Sequence, residues 1–392
     1  MIKGHKVQRC QLIQSRIEVG SESRARRTDF AAVLPLQISG IIRFMQFLGM
    51  PNRANRARNT WHLESPLRGC PIGDAQEEFW MIYISEEESA ALVTHELAFE
   101  AAREALVAAA SRQSWVFPAV LGRTQEVTNT FSIKSGSSGE LTGVKIGSFW
   151  SGNPARGLPR HNSTIVLLDQ HTGRLGAVVE AGKVNAYRTA AADAVAADLL
   201  ARKQAKVLAI FGAGNQASFE VMALARIRPI ETVLVVARPS PRRDAFVDQI
   251  GERGLKARAA LPEEAVRTAD IVVTATPARE PLFDAAWVGP GTHIVSIGSD
   301  APGKRELPSE LFPKARLFCD LLSQSVQIGE FQYVRDEIDA GVLVVTPIGD
   351  VIERRALGRR FDNEITVFDS SGISLQDLYM ADALIRAKAS HR

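Results

Sequence analysis

An α/β protein built on a doubly wound parallel sheet is the fold class this sequence predicts, and three observations predict it. From Lys206 onward, short apolar β-type runs alternate with amphipathic helical runs, the pattern of strands joined by crossover helices. The segment Lys206 to Ala217, KVLAIFGAGNQA, drives one such strand straight into Gly212, Gly214 and Ala217 at GxGxxA spacing. The chain is 392 residues long, 45% apolar and 23% charged, enough for two cores of ordinary globular composition.

Reading from Met81, Glu86 to Leu92 and His95 to Ala110 have helical spacing, with Thr94 placed to cap the second. Strand candidates come next at Thr128 to Ser132, Gly143 to Phe149 and Ser163 to Asp169. The turn His171-Thr172-Gly173 leads into a fourth, Leu175 to Glu180. Asn185 to Leu200 is Ala-rich and helix-forming, and it links this first domain to the next. The alternating unit then reads strand 206–211, helix 215–227, strand 232–237, helix 242–250, strand 255–259, helix 262–268, strand 270–275 and strand 292–297. From Gln324 the tail reads as helical with one strand, Glu364 to Phe368, and is expected to return to the first domain. The predicted division is a Rossmann domain over 201–323 and an α+β domain made of 81–200 plus 324–392.

Residues 1–80 differ in character from the rest of the chain. They are Arg-rich and lack steady periodicity, and their apolar patch, Phe30 to Met50, is broken by Pro35 and Arg43. A membrane span needs about 20 largely apolar residues and tolerates central charge badly, so the patch is not read as one. It also starts too far into the chain for an ordinary signal peptide. The expectation is a disordered or non-native extension with the natural start at Met81. Residues 1–80 carry 12 Lys/Arg against 7 Asp/Glu, leaving 35 against 37 for the remainder. The body is therefore near neutral, with no footprint for nucleic acid. Three cysteines, Cys10, Cys70 and Cys319, show no CxxC or Cys/His spacing, so neither a disulfide framework nor a metal site is expected. A reducing cytoplasm is the expected compartment.

The glycine segment is expected to bind a dinucleotide. Gly212 permits the tight strand-to-helix turn, Gly214 lets backbone approach a pyrophosphate, and Ala217 lets the helix pack closely on the sheet. The intervening Ala213, with Asn215 and Gln216, completes the turn, and the phosphates would sit on the free N–H groups where the helix opens. An NAD-preferring site places Asp or Glu at the end of the second strand, whereas this chain continues Ala237, Arg238, Pro239, Ser240, Pro241, Arg242, Arg243. Arg238 and Ser240 could meet a 2′-phosphate, favouring NADPH, while Arg242 and Arg243 could equally be a solvated helix start. Thr274, near the end of strand 270–275, is a further cofactor-binding candidate.

Five motifs in order, GVKIGSFWSGNP, HNSTIVLLDQHTGRLGAVVEAGKVNAYRTAAADAVA, GAGNQA, IGSDAPGKREL and EITVFDSSGISLQD, together resemble the ornithine cyclodeaminase and mu-crystallin family. The phrases FSIKSG, RHNSTIVLLD and SQSVQIGEFQ are most similar to its iminosuccinate reductase branch. The resemblance implies NAD(P)-dependent chemistry on a small amino or imino acid. It also implies a homodimer paired through the α+β domain, which then serves as substrate and dimerisation domain.

Hydride transfer between nicotinamide and an imine needs a cationic clamp for the substrate carboxylate and a group that moves a proton at nitrogen. By the resemblance, Lys145 and Arg188 match the family's cationic positions, Asp300 its catalytic acid, and Lys304 a position near the cofactor. Arg188 could grip a carboxylate or the cofactor's phosphates with two parallel hydrogen bonds. Lys145 could hold a carboxylate and, if desolvated, tune a proton transfer; Asp300 would have its acidity set by burial and by Lys304. Ser163 or Thr164, and Ser370, could hydrogen-bond the nicotinamide ribose or amide. Each of these side chains has a plainer reading as a surface cation, a turn residue or a structural hydroxyl. One departure stands out: the family's arginine two residues after a proline is Val120 here, in VFPAVLGR, with Arg123 displaced. Lys134 could supply the missing cation or engage a second carboxylate, as an iminosuccinate-type substrate would require.

Three functions stay open on the sequence. The favoured one is an imine reductase or amino-acid dehydrogenase. The second is an ornithine cyclodeaminase, a lyase making proline and ammonia with no net change in its NAD. The third is a protein that binds NADPH and a small ligand without catalysis; an acid/base group beside two cations argues against it.

Overall fold

The computed structural model describes residues 81 to 390. The first part runs β1 (Ile82–Ile84), α1 (Glu86–Leu92), α2 (His95–Ala109), β2 (Trp115–Val116), β3 (Val120–Arg123), β4 (Thr130–Ser137), β5 (Thr142–Phe149), β6 (His161–Leu168) and β7 (Leu175–Glu180). Both helices start where their sequence says. Ser85 and Glu88 form a capping box at α1, and the Thr94 hydroxyl accepts from the Leu97 N–H at 3.1 Å. The strands make one sheet in the order β1-β7-β6-β5-β4-β2, with β3 also on β4; β1 pairs in parallel and the others antiparallel. β4 starts two residues later than expected and runs five residues further. Asn129 closes a turn on the Glu126 carbonyl, and the ladder with β5 then carries the strand through Lys134 to Ser137.

Helix α3 (Val184–Leu200) leads to β8 (Val207–Phe211), α4 (Asn215–Ile227), β9 (Thr232–Val236), α5 (Pro241–Glu252), β10 (Lys256–Ala259), α6 (Pro262–Thr268), β11 (Ile271–Thr274) and β12 (His293–Ser296). β13 (Ala315–Cys319), α7 (Leu322–Ile328), α8 (Arg335–Asp339), β14 (Val345–Pro347), α9 (Ile348–Ile352), β15 (Ile365–Asp369) and α10 (Ser374–Ser390) complete the described chain. Eight strands form a second sheet, wholly parallel, in the order β10-β9-β8-β11-β12-β15-β13-β14. The strand order reverses between β8 and β11, and the carboxyl ends of strands at such a reversal are where open α/β sheets hold ligands.

The tail behaves differently from the expected return of all of 324–392 to the first domain. Two helices pack there: α10 on α2 and against β4, β5 and β6, and α9 on α2. β15 is inserted between β12 and β13, in the interior of the parallel sheet, and β14 forms its edge. Val367 and Phe368 of β15 are fully buried, which fits a strand covered on both faces. Among the described residues no helix is long and apolar enough to cross a membrane. The expectations for residues 1–80 lie outside the described residues.

Candidate active site

β4 and β5 set Lys134 directly opposite Lys145, so the two side chains share a sheet face. Arg188 arrives from the second turn of α3, and Asp377 from the first turn of α10. The Asp377 Oδ1 lies 2.9 Å from Lys145 Nζ and 3.0 Å from Arg188 Nε. Asn185 Oδ1 accepts from both cations, at 3.0 Å from Lys145 and 2.9 Å from Arg188. Gln376 Oε1 accepts from Arg188 Nη1 at 3.0 Å. Lys134 Nζ donates to the Gly372 carbonyl at 2.7 Å. Lys145, Arg188 and Asp377 are all buried, at 5%, 7% and 1% exposure.

Burial and the neighbouring Arg188 guanidinium push the Lys145 ammonium down to about 7, against the pull of Asp377. The same two causes lower Lys134. Asp377 moves the other way: burial alone would raise its carboxyl, but Arg188, Lys145 and Lys134 hold it below the ordinary value. Three cationic side chains thus gather around one carboxylate, and the excess positive charge faces a cleft of about 570 Å³. Lys134, Lys145, Arg188, Ser163, Asp300 and Lys304 all line it. Ser163 is buried and its hydroxyl finds no partner within the chain. Thr164, its neighbour on β6, lines an adjoining cleft of about 480 Å³ that Ser163 and Asn215 share.

The glycine turn is shaped for a dinucleotide. Gly212 has φ +115°, and a Cβ there would lie 2.7 Å from the Ala275 carbonyl oxygen. Gly214 caps α4 without a side-chain acceptor, so the first N–H groups of a 13-residue helix remain open to a phosphate. Ala217 is fully buried against the sheet. Beyond β9, the Arg242 Nε donates to the Ala213 carbonyl at 3.0 Å, so its guanidinium lies across the turn. A pyrophosphate fits this cradle.

Some expected residues are placed differently. Asp300 is half-exposed at the cleft rim in an ion pair with Lys304, not sunk behind the strand, because it lies beyond β12 in an open turn. Thr274 is fully buried and its hydroxyl donates to Glu306 Oε2 at 2.8 Å, inside the sheet's carboxyl end. Ser240 caps α5, accepting from Arg243 N–H, and Arg238 is exposed. Ser370 is buried beside Asp193 of α3. Val120, where a family arginine was expected, is 57% exposed on β3, and Arg123 lines the cleft three residues on. The sequence reading passed over Asp377, Asn185 and Gln376, and took Arg242 for a solvated helix start, whereas its guanidinium reaches the Ala213 carbonyl. Nothing local in the sequence marks Asp377: that buried cations need a buried acid becomes a signal only once Lys145 and Arg188 are known to be buried.

Comparison with known proteins agrees with this geometry. Residues 84–392 match the sequence model of the ornithine cyclodeaminase/mu-crystallin family. An iminosuccinate reductase of Paracoccus denitrificans (strain Pd 1222) is 36% identical over 318 residues, covering 80% of this chain and 98% of that protein. The crystal structure of the Paracoccus denitrificans iminosuccinate reductase in complex with NAD+ superposes with a TM-score of 0.73 at 35% identity, covering 79% of this chain and 97% of that one. An archaeal alanine dehydrogenase dimer with bound NAD gives a TM-score of 0.72 at 33% identity, covering 79% and 97%. A family match across more than half the chain, supported by relatives aligned over nearly their whole length, establishes that this chain belongs to the ornithine cyclodeaminase/mu-crystallin family.

Proposed function

We propose that the protein is a nicotinamide-dependent oxidoreductase that interconverts a small 2-imino acid and the corresponding 2-amino acid, with an iminosuccinate-type dicarboxylate as its preferred imine. The observation that carries this reading is the gathering of Lys134, Lys145 and Arg188 around Asp377 at one wall of a cleft that shares Ser163 with the cleft reaching Asn215. When bound, the dinucleotide supplies or accepts the hydride. Arg188 holds the substrate's α-carboxylate through its outward N–H groups, while Asp377 and Asn185 keep its plane fixed. Lys134 holds a second carboxylate with the N–H groups left over from its bond to Gly372. Lys145, whose ammonium releases its proton near neutrality, protonates the imine nitrogen as the carbon receives hydride, and takes a proton back in oxidation. Asp300 and Lys304 at the rim pass that proton to and from water. The Ser163 hydroxyl, without a partner in the chain, would hold the nicotinamide end of a bound dinucleotide.

Arg242 and Arg238 favour NADPH over NADH, since a guanidinium cannot accept from a ribose 2′-OH as a carboxylate would, and Ser240 beside them can donate to a 2′-phosphate. The protein acts in the cytoplasm as a homodimer, an assembly supported by exposed apolar side chains on β2, β3 and the following loop and by the dimeric archaeal relative. Mixing oxaloacetate and ammonia with each reduced cofactor, and monitoring the nicotinamide absorbance, tests the central reading. Oxidation of the cofactor with aspartate as product is expected. Proline and ammonia formed from ornithine with no absorbance change would instead make the protein a cyclodeaminase.

A further inference from the structure

Away from the cleft, two carboxyl groups are buried against each other where the substrate helix meets the cofactor helix. Asp193 projects from α3, five residues after Arg188, and Glu220 from α4, four residues after Gln216. Both residues are 0% exposed. The helices approach closely because Ala190, Ala194 and Ala223 make the contact. Glu220 Oε1 accepts from Gln216 Nε2 at 2.7 Å and the Ser370 hydroxyl faces Asp193, but Glu220 Oε2 is left without a donor. Two carboxylates cannot be buried together as bare acceptors; a proton held between them turns the repulsion into a hydrogen bond.

We propose that Asp193 and Glu220 are positioning residues, a carboxyl pair sharing one proton that clamps the helix carrying Arg188 to the helix opening from the Gly212 turn. The clamp extends at both ends. Gln216, in the first turn of α4, also donates to the Ala186 carbonyl of α3 at 3.2 Å, and Ser370, at the end of β15, lies beside Asp193. The charged groups facing the pair are Arg188 and Asp320. Burial pushes both carboxyls up, that of Asp193 well above its usual range, while the Gln216 hydrogen bond and Arg188 pull Glu220 down. Loss of the shared proton leaves two negative charges in the helix contact and drives α3 from α4, which separates Arg188 from the turn. Its consequence for turnover rests on the imine-reductase reading; the clamp itself does not.

The test measures unfolding of the full chain from pH 5 to 9.5 for wild type, Glu220→Gln and Asp193→Asn. A carboxyl group raised in the folded state stabilises fully below its unfolded value and loses that contribution as pH rises through the folded value. Wild-type midpoints should therefore fall across this range, and either amide variant, which keeps a hydrogen bond without needing the shared proton, should at least halve the fall. NADPH binding, read by nicotinamide fluorescence, should weaken in wild type by up to about tenfold per pH unit as the proton leaves, and stay level in the variants. Lys145 and Glu330 also titrate near 7, but they are unchanged in the variants, so the difference from wild type isolates the pair. A variant with the wild-type slope, or a wild-type midpoint that is level with pH, overturns the clamp. Level variant profiles in a protein that turns over no imine would instead uphold the clamp and sink the proposed reaction.

Discussion

Lys145 is the residue on which the proposed reaction turns, and its environment fixes the sign of its pH dependence. The ammonium is the proton donor for imine reduction, and burial beside Arg188 brings its release to about 7. Reduction should then lose kcat/KM as pH rises through 7, while oxidation of the amino acid gains over the same interval; rate profiles in both directions check this. Lys145→Met should lower kcat by about 10²- to 10⁴-fold, the usual worth of a positioned acid or base. Lys134 carries a separate expectation. Charge-assisted hydrogen bonds contribute about 1.5–3 kcal/mol, so Lys134→Ala should raise KM for a dicarboxylic imine by roughly 10- to 100-fold and leave a monocarboxylic one nearly unchanged. Equal effects on both would remove Lys134 from the second carboxylate. At this scale the cations and Asp300 were legible because they sit in recognisable local motifs. Asp377 was not: it meets Lys145 across 232 positions of sequence, and only the docking of α10 on the first sheet creates that contact.

At the scale of elements, local periodicity marks a strand but not its place in a sheet. The runs 206–211, 232–237, 270–275 and 292–297 were readable because each is bounded by turn residues, and the helices between them by their spacing. ITVFD reads equally well as a strand of either domain, and the hydrogen-bond register of β15 with β12 and β13 is set by burial on both faces, which one strand's sequence cannot specify. The glycine turn is the opposite case, since the backbone itself demands the residue. At φ +115° a side chain is strained by about 1–2 kcal/mol before the Ala275 carbonyl, 2.7 Å from the new Cβ, is pushed aside. Gly212→Ala should therefore weaken dinucleotide binding by more than about tenfold in titration calorimetry, and lower the unfolding midpoint of the free protein as well. Tight binding by that variant would show that the turn does not approach the pyrophosphate.

For the whole molecule, the cleft and the proposed dimer contact are two uses of one sheet. Trp115, Phe117, Val120, Leu121 and Val127 stand 51% to 70% exposed along β2, β3 and the loops between and after them, an apolar run unusual for a face left to water. Leu121 also lines the cleft, so a second copy seated on this surface would close the cleft's outer wall as it buried the apolar run. An interface of ordinary size covers about 800 Å² per partner, with its large apolar residues near the centre. Leu121→Asp would place a charge in that centre at the cost of several kcal/mol of association, while the buried cores of both sheets stay as they are. Light scattering should give twice the chain mass for wild type and the single chain mass for the variant, with an unchanged far-UV spectrum. Turnover per chain should fall with the loss of the second copy. A variant that remains dimeric would place the contact elsewhere, and one that is monomeric yet fully active would show that each cleft is complete within its own chain.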